Sequence, residues 1–252
     1  MARYQVILTY DGAGFQGFQR QAKARTVQSE VESALRHLSW QGKTILAAGR
    51  TDAGVHALGQ VVAFDLDWNH SPQDLQHALN ALLPEDIAAH QVRLVHSDFH
   101  PRYDAISRCY CYRVFCSQIR DPLRERYAWR VWPEVDVQRM NLAASYLIGK
   151  HDFVAFGKSL RAHGITRRTV YQATWQSQTE WKTGFTFNFE IVADAFLYHM
   201  VRRLVFFQVE VGQGIREPED VQKYLTGLEL NPPQGIAPPC GLTLVEVAYP
   251  SS

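Results

Sequence analysis

The stretch Gly49-Arg50-Thr51-Asp52-Ala53-Gly54-Val55-His56 constrains this chain more than any other. It sets a cation, a hydroxyl and a carboxylate between two glycines, whose backbones can turn sharply. Lys43-Thr44-Ile45-Leu46-Ala47-Ala48 precedes it, and Gly59-Gln60-Val61-Val62-Ala63-Phe64 follows. Both flanks are apolar and contain β-branched residues, so both read as strands. The polar stretch is then a loop fixed between two buried strands, and such loops carry function disproportionately. A carboxylate there must be solvated, paired or perturbed. Arg50, two residues before Asp52, is placed to pair with it and keep it ionised as a nucleophile or base. The competing reading makes Asp52 an Asx-turn residue that caps the loop backbone. Local chemistry leaves both open.

The rest of the first hundred residues supplies the scaffold. Tyr4 to Tyr10 reads as a strand. Asp11 to Gly17 is glycine-rich but lacks the Lys-Ser/Thr ending of a phosphate-binding loop. Arg20, Lys23 and Arg25 cluster after it, either as a solvated basic loop or as phosphate contacts. Thr26 is placed to cap a helix in which Val27, Val31, Ala34, Leu35 and Leu38 form one apolar face. Ser71-Pro72 opens a second helix, which stops before Pro84. Ile87 to His96 reads as a strand. The order β-α-β-β-α-β is that of a ferredoxin-like unit.

A second half repeats the alternation. Arg108 to Phe115 reads as a strand with Tyr110 and Tyr112 on one face, which on their own terms are core or sheet-face aromatics. Asp136 caps a helix running to Ile148 and ended by Gly149. His151-Asp152 has no serine or cysteine elbow beside it and reads as structural. Arg161, His163, Arg167 and Arg168 read as a basic loop, followed by strands over 170–176 and 185–192. A long helix opens at Asp194 and ends at Gly212, a short one starts at Glu217-Pro218, and the last strand spans 245–249. The chain thus divides into related halves, 1–104 and 105–252, with a cleft between them.

Composition narrows the classes. With 46% apolar and 20% charged residues the chain is an ordinary globular protein rather than a disordered one. A formal charge of +1 means that a nucleic-acid binder of this sequence must gather its arginines on one face. Cys109, Cys111, Cys116 and Cys240 lack zinc-site spacing and read as free thiols of a reducing cytoplasm, with no metal site. No apolar run approaches the ~20 residues of a membrane span, and Met-Ala-Arg-Tyr leads straight into a strand rather than a signal peptide.

Eight consecutive residues, Gly49 to His56, followed by Gly59-Gln60-Val61, resemble the signature of the TruA family of tRNA pseudouridine synthases. Further matches are Gly17-Phe18-Gln19-Arg20-Gln21, Thr26-Val27-Gln28, Tyr110-Cys111-Tyr112, His151-Asp152-Phe153, Ala195 to Arg202, and the proline-rich loop before Gly241-Leu242-Thr243-Leu244. The resemblance implies an α+β pseudouridine-synthase fold. Two ferredoxin-like halves form a mixed, largely antiparallel sheet with flanking helices and a central active-site cleft. It implies that Asp52 is catalytic, that Tyr110 lies against the target base, that Arg202 positions the carboxylate, and that Leu242 or Leu244 lines the uracil pocket. Arg50 joins these as a substrate-binding residue, and Arg20, Lys23, Arg25, Arg167 and Arg168 are candidate RNA contacts. The implied substrate is uridine 38, 39 or 40 of tRNA, with no cofactor, in a homodimer. The chain departs from the family pattern at Phe18 (usually Trp), at Tyr103, and at Phe206, where a glycine is usual nearby. A phenylalanine at a close helix contact requires a neighbour to shrink or the helix to move. A non-catalytic RNA-binding protein, a two-carboxylate glycosidase and a synthase of shifted specificity are the rival readings.

Overall fold

Tyr4, Val6, Leu8 and Tyr10 alternate along strand β1 (Ala2–Tyr10) and are all buried, the period of a strand with an inward face. The computed structural model describes residues 1–159, 164–179, 185–228 and 232–250, so Arg161 and His163 lie outside the described residues. The chain separates into two compact units, Met1–Ile106 with Thr243–Ser252, and Ser107–Leu242.

In the first unit β1 pairs antiparallel with β3 (His56–Leu66) on one side and β4 (Ile87–Val95) on the other. The outer edge of β3 is shared. Strand β2 (Leu46–Ala47) pairs with it at Ala63 and Val62, and β10 (Leu242–Ala248) runs parallel to it at His56 and Ala57. The order β4-β1-β3-β2, all antiparallel, is the ferredoxin-like arrangement expected. Helix α1 (Val27–His37) starts at Thr26, whose hydroxyl accepts from Ser29 in a capping box. Helix α2 (Pro72–Leu82) starts at Ser71 in the same way, with Asp74 as the reciprocal partner. Asn80 and Gln76 tie α2 to β4 through the backbone of Ala89 and His90. Strand β2 is shorter than the 43–48 expected. The Ile45 N–H is taken by the Glu32 carboxylate of α1 at 3.2 Å rather than by a strand, and the Thr44 hydroxyl accepts from Gln28 Nε2.

The second unit has β5 (Ser107–Cys116), β6 (Trp129–Val131), α3 (Val137–Ser145), β7 (Gly149–Asp152), β8 (Arg167–Thr179), β9 (Phe185–Ala193), α4 (Met200–Gly212) and α5 (Asp220–Leu225). Its strand order is β5-β9-β8-β7, antiparallel, with β6 parallel to β5. With β6 and β7 set aside, β5, α3, β8, β9 and α4 repeat the β-α-β-β-α order of the first unit. Several boundaries differ from expectation, with α5 starting at Asp220 rather than Glu217, β10 at Leu242 rather than 245, and β8 ending at Thr179 rather than 176. Helix α3 ends at Ser145, and Gly149, at φ 107°, starts β7. Arg167 and Arg168 sit in β8 rather than in a loop, because β7 pairs with them: Asp152 faces Arg167 and His151 faces Arg168. Helix α4 starts at Met200 rather than Asp194. Asp194 bonds the Thr169 and Ala195 N–H groups instead, and His199 takes a left-handed φ of 67°, which a helix cannot continue through.

Candidate active site

Asp52 is half-buried and opens a four-residue turn, closed by the Val55 N–H on the Asp52 carbonyl at 3.2 Å. Gly54 takes φ 77° there, a conformation that disfavours any Cβ. The turn is backed by the glycine-rich segment. Phe18 N–H donates to Thr51 O at 3.0 Å and Gly54 N–H to Phe15 O at 3.3 Å. A Cβ on Gly17 would stand 2.8 Å from Thr51 O, so only glycine lets the two backbones approach this closely. The glycine-rich segment, unassigned by its sequence, is therefore the bed of the Asp52 loop.

Side chains pin the same loop from below. The buried Thr51 hydroxyl and Tyr10 hydroxyl are hydrogen-bonded at 2.8 Å, and Gln60 Nε2 donates to Gly49 O at 3.1 Å. Burial pushes the Tyr10 phenol up to about 12, with its bonds to Thr51 and Gln60 acting the other way. Tyr10 therefore stays protonated through neutral pH. Phe18, in the place of the usual tryptophan, is buried against the Tyr10 ring at 6.5 Å. Sequence reasoning passed over Tyr10, Gly17 and Gln60. Gly17 and Gln60 both lay inside motif matches, which were the available signal.

Arg50 is exposed and, among the described residues, forms no ion pair, so the expected pairing of Arg50 with Asp52 is not made. A long cation two residues away gains more from water than from an exposed bridge. Lys23 is exposed and likewise has no ion-pair partner among the described residues. Arg25 is held differently: it makes a two-pronged bridge to Asp86 at 2.7 and 2.8 Å and lies over the Phe15 ring. Arg20 is bound to the buried Glu32.

In the second unit Tyr110 and Tyr112 follow one another on β5 and differ in kind. Tyr112 is fully buried and donates to Pro238 O at 2.7 Å. Burial holds its phenol well above the usual range, so it remains a donor. Tyr110 is half-buried, its ring edge-on to Phe196 at 5.1 Å. Arg202, on α4, donates from Nε to Ala237 O at 2.7 Å, and Ala237 N–H returns to Arg202 O. The loop ahead of β10 is thus clasped to α4 by backbone and side chain together. Phe206, one turn further along α4, stacks on Trp129 and faces Gly235, where a methyl group would collide with its ring. Gly235 is the small neighbour that a phenylalanine at this position demands. Leu242 belongs to this unit and Leu244 to the first, and both are buried.

Tyr103 is exposed and lies against His100, while Asp104 accepts from the His100 N–H, so that departure sits in a surface turn. His151 bonds the Ile148 carbonyl and Asp152 accepts from Val154 N–H, the structural roles expected. All four cysteines are free thiols. Among the described residues no group of three His, Cys, Asp or Glu side chains is gathered as for a metal ion, and no helix is long and apolar enough to cross a membrane.

Comparison with known proteins accounts for these features together. The family model described as tRNA pseudouridine synthase matches residues 6–104 and 143–250. The tRNA pseudouridine synthase A of Fervidobacterium nodosum is 39% identical, covering 99% of this chain and 100% of that protein. Those of Lacticaseibacillus casei and of a Geobacter species are each 38% identical with the same coverage. The Asp52 loop, its glycine bed and the β5 tyrosines all fall within these full-length matches, and the chain belongs to the TruA family of tRNA pseudouridine synthases, which are isomerases.

Proposed function

We propose that this protein converts uridine to pseudouridine at positions 38, 39 and 40 in the anticodon arm of tRNA, with Asp52 as the reacting carboxylate. The observation that carries the assignment of Asp52 is its setting: a half-buried carboxylate on a turn fixed by the Gly17 backbone below and the Tyr10–Thr51 pair beside it. Catalytic groups need such preorganisation. The reaction breaks the bond from uracil N1 to the ribose and makes one from C5. A proton leaves C5 and one is gained at N1, so the change balances without oxidant, reductant or group donor. Asp52 serves it as a nucleophile or as a base. The uridine must leave its stack, at a cost of a few kcal/mol recovered by stacking and edge contacts. Tyr110, backed by Phe196, offers the aromatic surface for that base, and we assign Leu242 and Leu244 to its apolar lining and Arg202 to positioning the carboxylate. Arg50 and Lys23 are the cations most available to phosphates, since Arg20 and Arg25 already hold Glu32 and Asp86. We assign Arg167 and Arg168, at the start of β8, a further phosphate-contact role, and a homodimer as the working form.

The test is a pseudouridine map of an unmodified tRNA transcript treated with wild type or Asp52→Asn, read by chemical labelling and reverse-transcription stops. Signals at 38 to 40 with the wild type alone are expected. Signals elsewhere would keep the chemistry and discard the positions. Equal signals from Asp52→Asn would remove Asp52 from the reaction, and binding without any signal would favour an RNA-binding protein.

A further inference from the structure

Gln28 lies 3% exposed near the start of α1, and every polar atom of its side chain is in use. Its Oε1 accepts from Gln19 Nε2 and from the Arg20 N–H, both at 2.9 Å. Its Nε2 donates to Glu32 Oε1 and to Thr44 Oγ1, both at 2.8 Å. Glu32, fully buried, also takes the Ile45 N–H and the guanidinium of Arg20. One amide therefore joins the segment before α1 to the segment that leads through β2 into the Asp52 loop.

Both segments bear on Asp52. Helix α1 begins with free N–H groups that need acceptors. Those of Val27 and Gln28 donate to the carbonyls of Gly17 and Phe18, at 3.3 and 2.9 Å. Phe18 then donates to Thr51 O, and Gly17 lies under the Thr51–Ala53 backbone. A buried polar group is not what such a site needs for stability, since apolar side chains of like volume often serve as well or better. A fully satisfied network instead fixes geometry. We propose that Gln28 is a positioning residue for Asp52, its amide holding in register the two backbone segments that carry and back the loop. This rests on Asp52 being the reacting carboxylate.

The experiment measures kcat and KM on tRNA, with thermal melts, for a small set of variants. Gln28→Glu keeps the acceptor toward Gln19 and Arg20, loses both donors, and sets a second carboxylate against Glu32. Its kcat is expected to fall between about tenfold and about a hundredfold with KM unchanged. The double variant Gln28→Glu with Glu32→Gln returns one amide and one carboxylate to the pair and is expected to restore most of kcat. Gln28→Met, which fills the volume without polar atoms, is expected to fold with low kcat and keeps the test decisive if Gln28→Glu does not fold. Asn80→Ala removes two comparable bonds from α2 to Ala89 and is expected to lower Tm without lowering kcat. Full kcat in Gln28→Glu or Gln28→Met, no recovery in the double variant, or an equal kcat loss in Asn80→Ala would overturn the proposal. Asp52→Asn is run beside them. If it is active, the premise fails. If it is inactive while Gln28→Glu is fully active, only the positioning role fails.

Discussion

Tyr110 and Tyr112 show how two identical side chains two residues apart acquire different work. Tyr112 spends its hydroxyl inside, on Pro238 O. Tyr112→Phe leaves that carbonyl unsatisfied and is expected to cost about 1–3 kcal/mol of stability, seen as a lower Tm, while kcat per folded molecule holds. Tyr110 is half-buried on Phe196, and Tyr110→Phe is expected to lower kcat. Equal effects on kcat would remove Tyr110 from the site. At this scale the sequence was legible where chemistry is local. Eight contiguous residues marked the Asp52 loop, and of the two accommodations Phe206 required, a small neighbour or a moved helix, Gly235 is the small neighbour. It was illegible where partners are distant. Nothing local joins Tyr10 to Thr51, or Gln28 to Thr44, and the Arg50–Asp52 pairing failed because proximity along the chain does not aim a flexible cation.

Among the elements, helix starts were the most legible. Thr26 and Ser71 carry hydroxyls that cap whatever follows, and α1 and α2 begin where those residues place them. Removing the Ser71 hydroxyl in Ser71→Ala is expected to cost about 1 kcal/mol in a urea melt. Asp74, the reciprocal partner, has its carboxyl held below the usual range by the Ser71 hydroxyl and N–H. A lowered folded value means that this contribution is complete above the ordinary aspartate pKa and is lost as pH falls through the lower, folded one. The stability gap between wild type and Asp74→Asn should therefore close on acidification. A gap that is constant with pH would assign the effect to packing. The start of α4 was illegible for the opposite reason. Ala195 to Leu197 suit a helix by composition, but Asp194 is already bound to Thr169, a partner in another strand. Strand β2 was over-read because the Glu32 carboxylate takes the Ile45 N–H that a neighbouring strand would otherwise bind.

For the whole molecule, the repeated alternation reads as two halves divided at 104, with the last strand in the second, whereas Thr243–Ser252 group with Met1–Ile106. Strand β10 meets β3 at His56 and Ala57, just past the Asp52 loop. A methyl group on Gly59 would collide with Val245 O, so the backbones meet closely. Beyond it Ala248 O accepts from Ile106 N–H, and Tyr249 donates to Pro101 O and packs on Phe99. Residues 1–106 alone are expected to melt at a lower temperature than the same segment carrying 243–250 on a flexible linker, as followed by circular dichroism. Equal melting would show that β10 adds nothing to this unit.

That discontinuity also orders events in time. A ribosome adding about 5–20 residues per second exposes residues 1–106 on the order of ten seconds before it reaches Thr243. Through that interval the nascent unit carries the Asp52 loop with the strand beside it still unmade. A message cut short before Thr243 thus yields a polypeptide that bears Asp52 without the support of β10, and the cell's proteases meet it with an open sheet edge as the handle.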